Sequence, residues 1–117
     1  MIKRTEKIEK AVKELLQVDR KKLDEATFEN VCLKYEVDPD IVEVVMFGKS
    51  EILDQRRRML HYILNNRRIT SVKATRLHCY RPRRRFEELK MSDGIVVVEK
   101  AVKRKDGSGY LAFELYS

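Results

Sequence analysis

The stretch CYRPRRRFEELK, residues 79–90, sets four arginines around one proline, just ahead of an apolar pair. Proline is excluded from a helix interior but fits the first turn, where its missing N–H is no loss. The spacing therefore predicts a helix that starts at about Pro82, with Arg81 just before it. At about 100° per residue, Pro82, Phe86 and Leu89 share one face and must pack inward. Arg83, Arg84 and Arg85 spread around the first turn, with Arg84 nearly opposite the core. Glu87 and Glu88 lie farther along the outer side. A helix N-terminus already carries positive partial charge, so each base there is unfavourable by about 0.3–1 kcal/mol. An external anion would relieve this, its oxygens met by free backbone N–H groups and by the arginine forks together. A first turn entering a DNA major groove would also let arginine reach guanine O6 and N7. The plainer reading is a solvated cap with weak surface pairing to Glu87 and Glu88.

Upstream, ITSVKATRLHCYRPRRRFEEL, residues 69–89, has the layout of a helix-turn-helix. A short helix capped by Thr70 or Ser71 runs through Ala74 and Thr75, and a turn leads into the second helix. Val72, Ala74 and Leu77 are expected to pack on Phe86 and Leu89. Arg76 is expected in the turn, a place where glycine is commoner.

Downstream, GIVVVEKAVKRKDGSGYLAFELYS, residues 94–117, changes period. Ile95, Val96, Val97 and Val98 favour strand, KDGSG supplies a hairpin turn, and residues 110–116 form the return strand. A strand pair directly after a recognition helix is the layout of a winged helix. Its basic tip, Lys103, Arg104 and Lys105, would lie along phosphates or in the adjacent minor groove. Equally open is an oligomerisation ribbon, with a homodimer as its consequence and the tip charges blunting an exposed edge. A lone hairpin is marginal in water, so its apolar run must pack on the helical body or on a second subunit.

Toward the N-terminus the apolar residues recur at three and four. Ile8, Val12, Leu15 and Leu16 form one stripe, and Glu6–Lys10 and Glu9–Lys13 are favourable i,i+4 pairs. Leu23, Phe28, Val31, Cys32 and Tyr35 mark a second helix that ends near YEVDPD. Asp38 is placed to cap a short third helix that opens on Pro39, carries Ile41, Val42, Val44 and Val45, and ends at Gly48. Ser50 then caps a longer helix whose wide buried face holds Ile52, Leu53, Met59, Leu60, Ile63 and Leu64. Asn65 and Asn66 stop it.

The length of 117 residues fits one domain, and the formal net charge is +7 with acids also plentiful. That is a folded, mixed-charge chain and not a basic tail. No run of about 18 apolar residues suggests a membrane span. The charged start, MIKRTEKIEKAVKELL, lacks the apolar segment of a signal peptide. Cys32 and Cys79 read as reduced, packed thiols of a cytoplasmic protein. His61 and His78 lack ligand spacing and there is no C-x-x-C, so no metal is expected. No serine elbow, glycine-rich phosphate loop or catalytic carboxylate pair stands out, so neither an enzyme, a cofactor nor a small-molecule substrate is expected.

Residues 28–89 resemble the C-terminal DNA-binding domain of the bacterial replication initiator DnaA, which shares its helix-turn-helix type with the tryptophan repressor. The residues that carry the resemblance are VCLKYEVDPDIV, GKSEILDQRRR, the HYIL helix and the basic segment after it. Tyr35, Val37 and Pro39 match the element that precedes a short helix. Lys49 stands where the family has a basic loop, Arg56 where it has a paired arginine, and Arg81 where its recognition motif opens. The family's histidine–threonine–threonine–valine run is replaced by Arg83, Arg84, Arg85 and Phe86, so its sequence specificity does not carry over. There is no Walker A sequence, so no ATPase is implied. The resemblance implies duplex DNA binding, with a helix in the major groove and basic-loop contacts to the backbone or minor groove.

These readings give a mainly α chain: a helical domain over residues 1–92, holding a helix-turn-helix at about 69–91, with a β-hairpin over 93–117 appended to it. Duplex DNA is the expected partner, in transcription or replication control or in phage DNA packaging. Arg81, Arg83 and Arg84 are the expected groove readers, with Arg85 beside them as a further expected DNA contact. Lys49, Arg67, Arg68, Lys73 and Arg76 are expected to position the backbone, Lys103, Arg104 and Lys105 to extend the footprint, and Arg56 to contact the DNA as well. The rival reading is a protein-interaction module of phage or mobile-element type, gripping an acidic host protein with the same basic surface. RNA is disfavoured because no aromatic residues interleave the basic ones on a sheet face.

Overall fold

The computed structural model describes residues 5–19 and 22–116, so the first four residues of the charged start lie outside it. The chain separates into two units, residues 1–53 and 54–117. Within the second unit the hairpin shares its core with the helices before it.

In the first unit, Thr5 is extended and its Oγ1 accepts the Ile8 N–H at 3.3 Å, which starts α1 (Glu6–Leu16). Ile8, Ala11, Val12 and Leu15 are its buried stripe. Leu16, expected on that stripe, is 69% exposed; Ala11 occupies the opposite flank instead. The expected Glu6–Lys10 pair forms at 3.4 Å. Asp24 caps α2 (Glu25–Lys34) through the Thr27 N–H at 2.8 Å, and Phe28, Val31 and Cys32 are buried. Beyond α2, Glu36 takes a left-handed φ of 56°. This lets the Val37 N–H reach the Cys32 carbonyl and the Glu36 N–H the Leu33 carbonyl, closing the orphan acceptors of the last turn. Lys34 meets Glu14 at 2.7 Å and the Tyr35 hydroxyl donates to the same carboxylate at 3.1 Å, pinning α1 to α2. The Lys34 hydrogen bond holds the Glu14 carboxyl below its ordinary range.

Asp38 Oδ1 accepts the Asp40 N–H at 2.9 Å, and α3 (Pro39–Asn66) opens on Pro39 as the spacing requires. Gly48, with φ 79° and ψ 158°, breaks the helical geometry, a conformation that a side chain would resist. Two helices therefore meet at a kink there, with the first ending at Gly48 as the sequence reading expects. Helical geometry resumes at once, so Ser50 lies inside α3 and not in the non-helical geometry of a cap.

The second unit begins in the later part of α3, where Met59 and Ile63 are fully buried. Its buried face is narrower than expected, for Leu64 is 53% exposed. Arg67 turns the chain with φ 61°, and β1 (Arg68–Thr70), α4 (Ser71–Arg76), α5 (Pro82–Asp93), β2 (Val97–Lys103) and β3 (Gly109–Leu115) follow. The three strands form an antiparallel sheet in the order β1-β3-β2. β1 was not anticipated: Ile69 pairs with Phe113 in β3, and the Arg67 carbonyl accepts the Leu115 N–H at 2.8 Å. Met59, Ile63, Ile69, Ala74, Cys79, Phe86, Leu89 and Phe113 make one core, with Ile95, Val97, Leu111 and Leu115 against it. The Phe86 and Phe113 rings lie 5.1 Å apart, joining α5 to the middle strand. The hairpin therefore packs its apolar side on the helical body of its own unit. Among the described residues no helix is long and apolar enough to cross a membrane, and no cluster of three or more His, Cys, Asp or Glu could hold a metal ion.

Candidate nucleic-acid interface

The helix pair is built by local caps at each junction. Thr70, the last residue of β1, accepts the Lys73 N–H on its Oγ1 at 3.1 Å and starts α4. α4 ends through His78, whose φ is 60°. The His78 N–H donates to the Thr75 carbonyl and the Cys79 N–H to the Ala74 carbonyl, both at 2.9 Å. This is the closure usually given to glycine, here made by histidine. Arg76, expected in the turn, closes α4 instead. Arg58 Nε donates to the Leu77 carbonyl at 2.8 Å, tying α3 to the turn. Cys79, Tyr80, Arg81 and Pro82 are all buried, so the turn is anchored by packing.

α5 starts at Pro82 and is capped by Gly94, whose N–H donates to the Lys90 carbonyl and whose left-handed φ of 67° lets the Ile95 N–H reach the Leu89 carbonyl. Pro82, Phe86 and Leu89 face inward as the spacing requires. The arginines divide. Arg81 is 5% exposed and Arg85 1%, so the structure buries both side chains, Arg81 expected as a groove reader and Arg85 as a further DNA contact. Arg85 is the largest fully buried side chain. Its Nε lies 3.1 Å from Glu88 Oε1 in an ion pair whose angle is not that of a hydrogen bond. Arg83 and Arg84 stay accessible, with side chains 49% and 38% exposed. Both are already engaged: Arg83 Nε donates to Glu99 Oε1 of β2 at 2.6 Å, and Arg84 Nη1 to Glu87 Oε2 at 3.1 Å. The unfavourable bases at the start of α5 are thus answered in part by carboxylates of the protein itself. Glu87 and Glu88 sit three residues on from the arginines they meet, and Glu99 comes from the neighbouring strand.

The other expected residues are spread around this pair. Lys73 lies over the Tyr62 ring at 5.4 Å, and Arg76 is exposed at the end of α4. Arg67 is exposed, and Arg68 lies 3.6 Å from Glu114, which also accepts from Lys100 at 2.7 Å. The Lys100 hydrogen bond, with Arg68 alongside, holds the Glu114 carboxyl below its ordinary range. At the hairpin tip Lys103, Arg104 and Lys105 are exposed, and Arg104 stacks over Tyr110 at 5.0 Å. The tip is shaped by Gly107, with φ 90°, and by Asp106, which accepts both the N–H and the hydroxyl of Ser108. Those bonds hold the Asp106 carboxyl below its ordinary range. Arg56 is half-buried on α3, and Lys49 is exposed in the first unit.

Two residues were missed. Lys90 is exposed on α5, seven residues after Arg83 and so on the same face, a spacing visible in the sequence. Glu99 was not legible, because only the hairpin brings it to α5. Compared with known proteins, residues 54–112 match the family described as the winged helix-turn-helix domain, a span that starts where the second unit starts and ends within β3 of the hairpin. The resemblance drawn from residues 28–89 stopped short of that hairpin. No curated protein and no solved structure matches the chain.

Proposed function

The chain belongs to the winged helix-turn-helix domain family, and from that premise we propose that it binds duplex DNA through α4, α5 and the hairpin. The observation that carries the reading is the family span itself, laid over a unit whose second helix exposes Arg83, Arg84 and Lys90. In this reading α5 enters the major groove and those three side chains meet base edges and phosphates. Arg67, Arg68, Lys73 and Arg76 hold the flanking backbone, and Lys103, Arg104 and Lys105 reach the adjacent groove or strand. Arg81 and Arg85 act from within, fixing the start of α5. By occupying a site the protein would control transcription or replication, or serve phage DNA packaging, in the cytoplasm.

A titration of labelled random-sequence duplex against salt tests this. Binding should weaken linearly on log–log axes, by about 0.9 per phosphate neutralised. Arg83→Ala with Arg84→Ala should flatten that slope by about one to two. No binding at low salt, or a slope unchanged by the double substitution, would sink the placement.

A further inference from the structure

The two accessible arginines of α5 are each occupied by a carboxylate, and one of these carboxylates belongs to a different element. Arg83 Nε donates to Glu99 Oε1 at 2.6 Å, a charge-assisted bond that joins α5 to β2. Glu99 stands opposite Phe113 in the register of the sheet, on the side where β3 packs against α5. Its side chain is 36% exposed and that of Arg83 49%, so solvent and solutes reach both groups. A carboxylate and a phosphate offer a guanidinium the same pair of oxygens at the same distance. Any phosphate that Arg83 is to hold must therefore displace Glu99 or share the fork with it.

The geometry points to Glu99 as an internal phosphate mimic that holds Arg83 in reserve and so sets the threshold for duplex binding. This inference rests on the proposed DNA-binding reading and deepens it. Glu99 acts through Arg83 and is a positioning residue. Displacing it costs the same free energy on any duplex, so the latch lowers affinity throughout, and random-sequence duplex reads it most plainly because that binding is almost wholly electrostatic. Glu87, 3.1 Å from Arg84, stands in the same relation to its neighbour within the helix.

The test is Glu99→Gln, which keeps the size and removes the charge. The probe is random-sequence duplex, titrated at several salt concentrations, with wild type, Glu99→Gln, Arg83→Ala and the combined variant. Releasing Arg83 fully for a phosphate should steepen the salt slope by up to about 0.9 and raise affinity by up to about eightfold at 0.1 M salt. In the Arg83→Ala background the same substitution should gain little, because its beneficiary is gone. Four outcomes decide. A gain that needs Arg83 supports the latch. A gain of equal size without Arg83 overturns it, since Glu99 would then act only as a nearby negative charge. Wild-type binding unaltered or weakened by Glu99→Gln, in a variant that keeps the wild-type melting curve, overturns the latch alone. No binding by wild type or by Glu99→Gln overturns the DNA-binding reading and the latch with it.

Discussion

Replacing Arg85 by alanine separates the arginines that build α5 from those that face outward. Arg85 is 1% exposed and its charge is balanced by Glu88 at 3.1 Å. Breaking a buried ion pair from one side destabilises by about 3–5 kcal/mol, because the remaining charge stays desolvated. The Glu88 side chain keeps 24% of its exposure, so the orphaned carboxylate recovers part of its hydration. Loss of the arginine stem from the packed interior works the other way. The net expectation is a loss of about 2–4 kcal/mol. Arg84→Ala removes an exposed i,i+3 pair and should cost about 0.3–0.5 kcal/mol. DNA binding should show the reverse order. Arg85→Ala, measured where it is still folded, should leave the salt slope unchanged, and Arg84→Ala should lower it by about 0.9. Urea unfolding followed by circular dichroism gives the stabilities, and fluorescence anisotropy of labelled duplex gives the slopes. Arg85→Ala with near-wild-type stability and a flattened slope would refute the division of labour drawn from burial.

Two further outcomes follow from the same structure. Glu114 has a folded pKa held below its ordinary 4.5, first by the Lys100 hydrogen bond, so its stabilising effect is present above that value and is lost as pH falls through the folded pKa. The gap in melting temperature between wild type and Lys100→Met should therefore narrow as pH drops below 4.5, and a gap constant with pH would contradict the assignment. Thr70→Ala removes the cap of α4 and should cost about 1 kcal/mol in thermal or urea unfolding, with Thr70→Ser restoring most of it; no loss would mean that packing alone sets the start of α4.

Much of α5 was legible because its signals are local. Pro82 can only start the helix, Gly94 alone among its neighbours relaxes into a left-handed stop, and Phe86 and Leu89 fall on one face with Pro82. The hairpin was legible for a similar reason, since Gly107 and Asp106 encode the turn within a few residues. β1 was not, because three residues make a strand only when β3, more than forty positions on, lies beside them. The burial of Arg85 was half-legible. It stands about 60° from Pro82 on the helical wheel, on the flank of the apolar face, but its residue type argued for solvent. What decides is Glu88 one turn later, together with an interior that closes over the Arg85 side chain. Arg76 was assigned to the turn because the short helix was read only through Ala74 and Thr75. His78 took the left-handed position instead, with Cys79 and Ala74 buried beside it to hold the closure. Glu99 lay outside any local signal, for the strand register that carries it to Arg83 is set by the whole hairpin.

The most direct measurement is an amide chemical-shift map of the isotope-labelled full chain, titrated with a short duplex. Shifts should gather on the exposed side of α5, around Arg83, Arg84 and Lys90, at the end of α4, and at the hairpin tip around Arg104. A duplex that leaves those amides unmoved, or that shifts only residues of the first unit, would contradict the claim that the helix-turn-helix and its hairpin hold the DNA.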